Sequence, residues 1–360
     1  MLSTVTVGGA LVKRFADGSG PAPGGNLPTL AWYFFIGDAL LFLPVLLIIG
    51  YTFNQIYPAL AAVEDPLPAY EAVSMNDDDT RKDDDVPVIT AQGGKPITSS
   101  VRATNRLLRS LGGWTSNFRG FGYAILVGFL TLTAMGIFSL IPFLPIRGAH
   151  LFALIALAPV STTWTHFVIT APSAKSFFSR IPSARKTYIA TALPIFALWA
   201  SAHLAVILPA LLGRLIGLSV VDLTNPEQTP GGMPSGSDVG KALCVGGVSL
   251  ALQALLVIPA FTALTRVQAS LLPADEDTIV PFDRSFGGRV EPEVVSGKGF
   301  ASIGAALRTV TLASWMRIYL QRVKLFAVAM VMYLVMGAII VAQMLLVYKM
   351  CTGDGSSKCF

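Results

Sequence analysis

The chain has 360 residues, of which 53% are hydrophobic and 13% charged, and its mean hydropathy is +0.63. Soluble domains carry about 25% charged residues, so this composition excludes an ordinary soluble enzyme, a disordered chain and a disulfide-rich secreted scaffold. The net charge of +5 is too small to argue for nucleic acid, and none is expected as a partner; the expected solvent is largely lipid.

Residues 1–29 read as a flexible outer tail. They lack the basic start and apolar middle of a signal peptide, and Gly18–Asn26 is linker-like. Six apolar segments then follow, at Leu30–Tyr57, Gly120–Ile146, Ala149–Thr170, Tyr188–Gly213, Ala242–Thr265 and Leu325–Tyr348. Each is long enough to cross a bilayer, which takes about 20 residues. Hydrocarbon offers no partner to backbone polar groups, so the segments are expected to be helices, kinked by Pro44, Pro159, Pro194 and Pro259. Pro142 and Pro145 force a tight turn between the second and third. The membrane domain thus covers residues 30–350, and residues 351–360 form a short outer tail that holds Cys351 and Cys359, whose spacing leaves both a pairing on an oxidising side and two free thiols open.

Of the 26 Lys and Arg residues, 19 fall in the connections after the first, third and fifth segments. The positive-inside rule puts those odd connections inside and both termini outside. Residues 64–99 of the first connection read as a disordered acidic loop, with the runs Asp77–Asp79 and Asp83–Asp85. Ile97–Leu111 reads as an amphipathic helix, with Val101, Thr104, Leu108 and Leu111 on one stripe and Arg102, Arg106 and Arg109 on another face. It is expected to lie on the inner membrane surface against anionic lipid. The fifth connection ends in a similar stripe of Phe300, Ile303, Leu307 and Val310.

Four ionisable side chains sit in or beside the spans and are candidates to contact a substrate: Asp38, His166, His203 and Arg266. Gln253 and Gln343 are read as hydrogen-bonding glue between helices. No nucleophile has an apparent base, and neither a metal-ligand cluster nor a phosphate loop is present in the sequence, so no enzyme activity, cofactor or metal is expected. Leu67, Pro68 and Tyr70 make a Leu-Pro-x-Tyr segment, a variant of the Pro-Pro-x-Tyr ligand of WW domains. On the cytosolic side of a membrane it would suit a WW-domain ubiquitin ligase, which makes a non-transporting scaffold or adaptor the second functional reading.

The two surface helices prompt a search for repeats. Pro44, Pro159 and Pro259 each fall in an odd span, and each odd span leads through a basic connection to an even one. Gly113-Trp114-Thr115-Ser116-Asn117-Phe118-Arg119-Gly120 resembles the Gly-x4-aromatic-basic-Gly element of the mitochondrial carrier family. Pro259 through Arg266-Val267-Gln268 resembles that family's odd-helix ending. The resemblance implies an all-α membrane protein of six helices in three pseudo-repeats of two (about 30–146, 149–213 and 242–348), with amphipathic surface helices in the inner loops. It also implies solute transport, with a substrate near the midplane and a home in the mitochondrial inner membrane or another intracellular membrane. In that family, charges of the odd helices pair to close a gate. Here the positions two after each proline hold Leu46, Ser161 and Phe261, those five after hold Ile49, Trp164 and Leu264, and those seven after hold Tyr51, His166 and Arg266. The expectation is therefore a degenerate gate without an ion-pair network. The chain also resembles fungal multi-pass membrane proteins that carry ubiquitin-carrier or ubiquitin-conjugating names, but no His-Pro-Asn element precedes Cys244, Cys351 or Cys359.

Overall fold

A computed structural model of the chain describes residues 29–65, 96–172, 178–218, 236–273, 275–290 and 299–353. Among them there is no strand, only an isolated antiparallel bridge between Thr170 and Thr278. The helices are α1 (Thr29–Leu47), α2 (Tyr57–Val63), α3 (Val101–Gly112), α4 (Phe121–Ser139), α5 (Ile146–Ala156), α6 (Ala158–Ile169), α7 (Ala184–Leu215), α8 (Gly236–Leu252), α9 (Ile258–Ser270), α10 (Ile303–Arg308) and α11 (Leu312–Gly353).

Among the described residues five helical stretches are long and apolar enough to cross a membrane: Tyr33–Val63, Trp114–Ser139, Ala184–Leu215, Gly236–Ser270 and Leu312–Leu346. A sixth arises if α5 and α6, bent by 61° at Leu157, count as one span. Large apolar side chains such as Phe35, Leu40, Phe129 and Leu334 stand exposed along them. In water such a surface would aggregate; against lipid tails it is the expected one. The chain is accordingly a membrane protein.

The helices outrun the apolar segments. The last begins at Leu312, so Arg317, Arg322 and Lys324 belong to a helix rather than to a connection. Arg322 lies over the Phe261 ring at 5.0 Å, which gives its charge a partner where lipid would not. Pro44 and Pro194 sit inside α1 and α7. Pro58, Pro159 and Pro259 instead open the short terminal helices α2, α6 and α9 at their first turn, where a missing N–H costs least. Before Pro58 and Pro259 the chain runs as π-helix, Ile48–Ile56 and Gln253–Val257. There the N–H of Tyr57 reaches the Thr52 carbonyl and that of Ile258 the Gln253 carbonyl, each five residues back. Before Pro159 the interruption is the bend at Leu157.

Two compact units divide the chain. The first holds residues up to Val45, Ala205–Ala251 and Val331 onward. Within it Gln343 Nε2 donates to Asp38 Oδ1 at 2.9 Å, the interhelical role expected of Gln343. The second holds Leu46–Leu204 and Leu252–Met330 and contains the main core: Tyr57, Leu60 and Val63 of α2, Leu107 and Leu108 of α3, Val168 and Ile169 of α6, with Ala269, Val280 and Leu325. Burying each such large apolar side chain contributes about 1.5–3 kcal/mol where water is the alternative. The stripe on α3 is as expected for Thr104 and Leu108, both fully buried, and the arginines Arg102, Arg106 and Arg109 are exposed. The second stripe folds as a helix only over Ile303–Arg308; Ser100 and Ser302 cap the two helices by accepting from Ala103 N–H and Ala305 N–H.

Candidate functional site

The C-terminal ends of α2, α6 and α9 pack against one another in the second unit. Charged groups gather there. Arg266, on α9, is 1% exposed, and its Nη1 meets Asp65 Oδ1 at 2.8 Å and the Ala62 carbonyl at 3.1 Å. Its Nη2 donates to Thr309 Oγ1 at 3.2 Å, and its guanidinium lies over the rings of Phe286 and Phe282 at 5.2 and 5.8 Å. A second pair stands beside it. Arg317 Nη1 meets Glu64 Oε2 at 2.9 Å, while its Nη2 donates to the carbonyls of Ala61 and Glu64 at the end of α2. Glu64 also accepts from Ile97 N–H at 2.6 Å, from Thr98 N–H at 3.0 Å and from the Thr98 hydroxyl. A third pair, Arg180 with Glu276 at 3.6 Å, has both side chains buried.

Ion pairs therefore stand at these helix ends, where the sequence suggested no ion-pair network. The acids come from Glu64 and Asp65, read from sequence as the start of a disordered loop, because α2 carries the first helix on to Val63. Glu64 is 2% exposed, and residues 96–99, the far end of that loop, are ordered against it. Charges so placed are tolerable when paired and hydrogen-bonded, as Glu64 and Asp65 are.

His166 joins the same junction. Its Nε2 lies 2.7 Å from the Gln268 carbonyl; a carbonyl only accepts, so Nε2 carries the proton. Thr165 Oγ1 donates to Gln268 Oε1 at 2.7 Å, and α6 and α9 are thereby tied twice. His166 is thus bonded to α9, the helix that carries Arg266. His203 lies elsewhere in the second unit: Nδ1 bonds the Trp199 carbonyl of its own helix at 2.8 Å, and its ring centroid is 6.3 Å from that of His150. Asp38 belongs to the first unit, held by Gln343.

The Gly-x4-Phe-Arg-Gly element has a physical reason at each position. Gly113 ends α3 at φ 68°, and Gly120 precedes α4 at φ 73°, both in the left-handed region that favours glycine. A Cβ on Gly120 would stand 3.2 Å from Phe167, 3.3 Å from the Tyr51 hydroxyl and 3.4 Å from Trp164 Nε1. Phe118 packs edge-on against Phe121. Arg119 donates from Nε to the Phe167 carbonyl at 3.1 Å and from Nη2 to the Thr170 carbonyl, satisfying orphan acceptors at the end of α6. Its own carbonyl accepts from Tyr51, whose hydroxyl in turn accepts from Trp164 at 3.1 Å. Two arginines thus cap helix ends: Arg119 that of α6, and Arg317 that of α2.

Sequence reasoning missed Pro58. It lies 101 residues before Pro159, and Pro159 lies 100 before Pro259, whereas Pro44 sits 14 residues earlier inside α1. Counted from Pro58, the seventh residues onward are Asp65, His166 and Arg266, the three groups found at the junction. The near-equal spacing was the available signal. Pro58 lies just beyond the apolar segment that ends at Tyr57, which hides it.

Among the described residues no group of three or more His, Cys, Asp or Glu stands close enough to hold a metal ion. Leu67, Pro68 and Tyr70 lie outside the described residues, as does Cys359. Comparison of the chain with protein-family models, curated proteins and solved structures gives no match in any of the three.

Proposed function

We propose that the protein is a carrier-like membrane transporter for small solutes, built from three related helix pairs, with its inner end closed by buried ion pairs. One observation carries the reading. Three helices, each restarted by a proline at intervals of 101 and 100 residues, pack together, and the residues seven after those prolines are Asp65, His166 and Arg266, of which Asp65 and Arg266 pair at 2.8 Å. The capping arginines favour a cyclic order: Arg119, before α4, holds the end of α6, and Arg317, on the last helix, holds the end of the first. A closed ring of helix pairs explains why the last should reach back to the first. A pair buried at the meeting point of three helices can hold that end shut and yet be exchanged for water when the helices part, which an apolar contact alone resists. Solute would then be held further along, among Thr162, Thr262 and the other small polar side chains that these helices bury.

The experiment is uptake by liposomes containing the purified protein, against a panel of small anionic, cationic and neutral solutes. Arg266→Asp and Asp65→Arg should each abolish specific uptake, and the double exchange should restore it. Absence of uptake across the panel rejects the transport reading; uptake indifferent to both exchanges rejects the pair as the closure.

A further inference from the structure

The connection after α9 does not trail away from the junction; residues 275–290 cross all three helix ends. At α6, Ile279 N–H donates to the Ile169 carbonyl and Ala171 N–H donates to the Asp277 carbonyl, both at 2.9 Å. At α2, Asp65 N–H donates to the Pro281 carbonyl at 2.8 Å, and Asp283 N–H donates to Asp65 Oδ2 at 3.1 Å. At α9, Phe282 and Phe286 lie on Arg266, and Phe286 packs with Val267, Ala301 and Ala306. Val280 is buried in the main core.

The turn that delivers Phe286 is unusual. Phe286 takes φ 52°, a conformation a bulky residue rarely adopts, and Gly287 and Gly288 follow at 66° and 77°. Asp283 organises it, accepting from Ser285 N–H at 2.9 Å, Gly287 N–H at 2.7 Å and the Ser285 hydroxyl. Phe286 is nevertheless 1% exposed, so the strained backbone is held by seating its ring on Arg266.

We propose that residues 275–290 are a plug, a segment of the chain's own inner loop that seals the closed junction and must unseat when that end opens. Asp65 is its latch. One carboxylate oxygen takes Arg266 and the other takes the Asp283 N–H, so the displacement that parts the ion pair also frees the plug. The aromatic cover in turn keeps water from Arg266 and strengthens the pair beneath it. Closure is then one cooperative event in which ion pair and plug are lost together. The inference rests on the reading that this end opens, and its test does not depend on knowing the solute.

Thr170 and Thr278 face each other as a non-hydrogen-bonded antiparallel pair, since the bonds come from their neighbours; such Cα atoms lie about 4.5 Å apart, within disulfide reach. The probe is full-length protein in liposomes, with Cys244, Cys351 and Cys359 replaced by Ser and carrying Thr170→Cys, Thr278→Cys and Val267→Cys. Val267 is fully buried under Phe286, and its reaction with a membrane-impermeant maleimide, read by peptide mass, reports the plug's departure. Oxidation of the tether should slow labelling on the order of tenfold, reduction should restore it, and Asp65→Ala should accelerate it only when the tether is reduced. Equal labelling with the tether open or closed overturns the plug, as does an Asp65→Ala protein that labels no faster than its parent. Uptake measured on the same vesicles separates the two ideas. Labelling that obeys the tether without any uptake keeps the plug and rejects transport, whereas uptake indifferent to the tether keeps transport and rejects the plug.

Discussion

Replacing Glu64 by alanine removes the acceptor for four donors at once: Arg317 Nη1, the N–H groups of Ile97 and Thr98, and the Thr98 hydroxyl. Thr98 is fully buried and Glu64 nearly so, and bulk water does not simply take the carboxylate's place. Removing one partner of a buried pair costs about 3–5 kcal/mol, because the remaining charge stays desolvated. At about 4 kcal/mol the unfolding constant rises roughly a thousandfold. Arg317→Ala should cost about as much, since Glu64 then stands alone and the carbonyls of Ala61 and Glu64 lose their donor. The two changes are not independent, so the double variant should be less damaged than the sum by about 2–3 kcal/mol. The measurement is reversible unfolding in mixed micelles, followed by helix signal as denaturing detergent is titrated in, for the parent, both single variants and the double. Costs that add to within about 0.5 kcal/mol would falsify the claim that Glu64 and Arg317 act as one buried unit.

Gly120→Ala forces a left-handed φ on a residue with a Cβ and presses it on Phe167 and Trp164, so thermal stability in detergent should fall by about 1–2 kcal/mol, whereas Gly122→Ala, with open space around it, should not reduce it. Burial pushes the Asp283 carboxyl up, but hydrogen bonds from Ser285 and Gly287 and the charge of Arg266 outweigh this and hold it below its ordinary 3.8. With the folded value depressed, its contribution is fully present above that ordinary value and is lost as pH falls through the lower one; labelling of Val267→Cys, divided by that of an exposed cysteine at the same pH to cancel the falling thiolate fraction, should therefore rise at acid pH, and Asp283→Asn should flatten that rise. Cysteines placed at Leu140, in the turn after α4, and at Arg289, in the plug, should react with an impermeant reagent from opposite faces of the membrane; reaction of both from one face refutes the assigned topology.

The apolar runs made the spans legible because lipid imposes the same requirement along the whole helix, and composition records it directly. The Gly113–Gly120 element was legible too, since its left-handed glycines are local necessities, whereas the helix end that Arg119 caps lies 48 residues away. The junction was not. Glu64 and Arg317 are 253 residues apart, and nothing near either announces the other. Polar residues at helix ends look like connections, so hydropathy alone ends the first helix at Tyr57 and starts the last at Leu325. Those charged turns are helical all the same, with Glu64 beside the end of one, and Arg317 and Gln321 within the other, buried against neighbouring helix ends. His166 and Arg266 were picked out because a charge or an imidazole in an apolar run is conspicuous; Asp65 escaped because it lies among other acids and prolines.

The wide turns before Pro58 and Pro259 have a consequence for side-chain direction. An α-helix advances by 3.6 residues per turn, so each residue absorbed in a wider turn swings everything beyond it by about 100°. Asp65 and Arg266 both lie beyond such turns, and neither points where an unbroken α-helix would send it. The azimuth of the terminal segments is thus set independently of the stripe that faces lipid. Passing the slack residue along the helix would rotate α2 or α9 about its own axis with little loss of backbone hydrogen bonds. Such a swivel is a smaller movement than tilting a whole span, and it acts on the one angle that decides whether the two charges face each other.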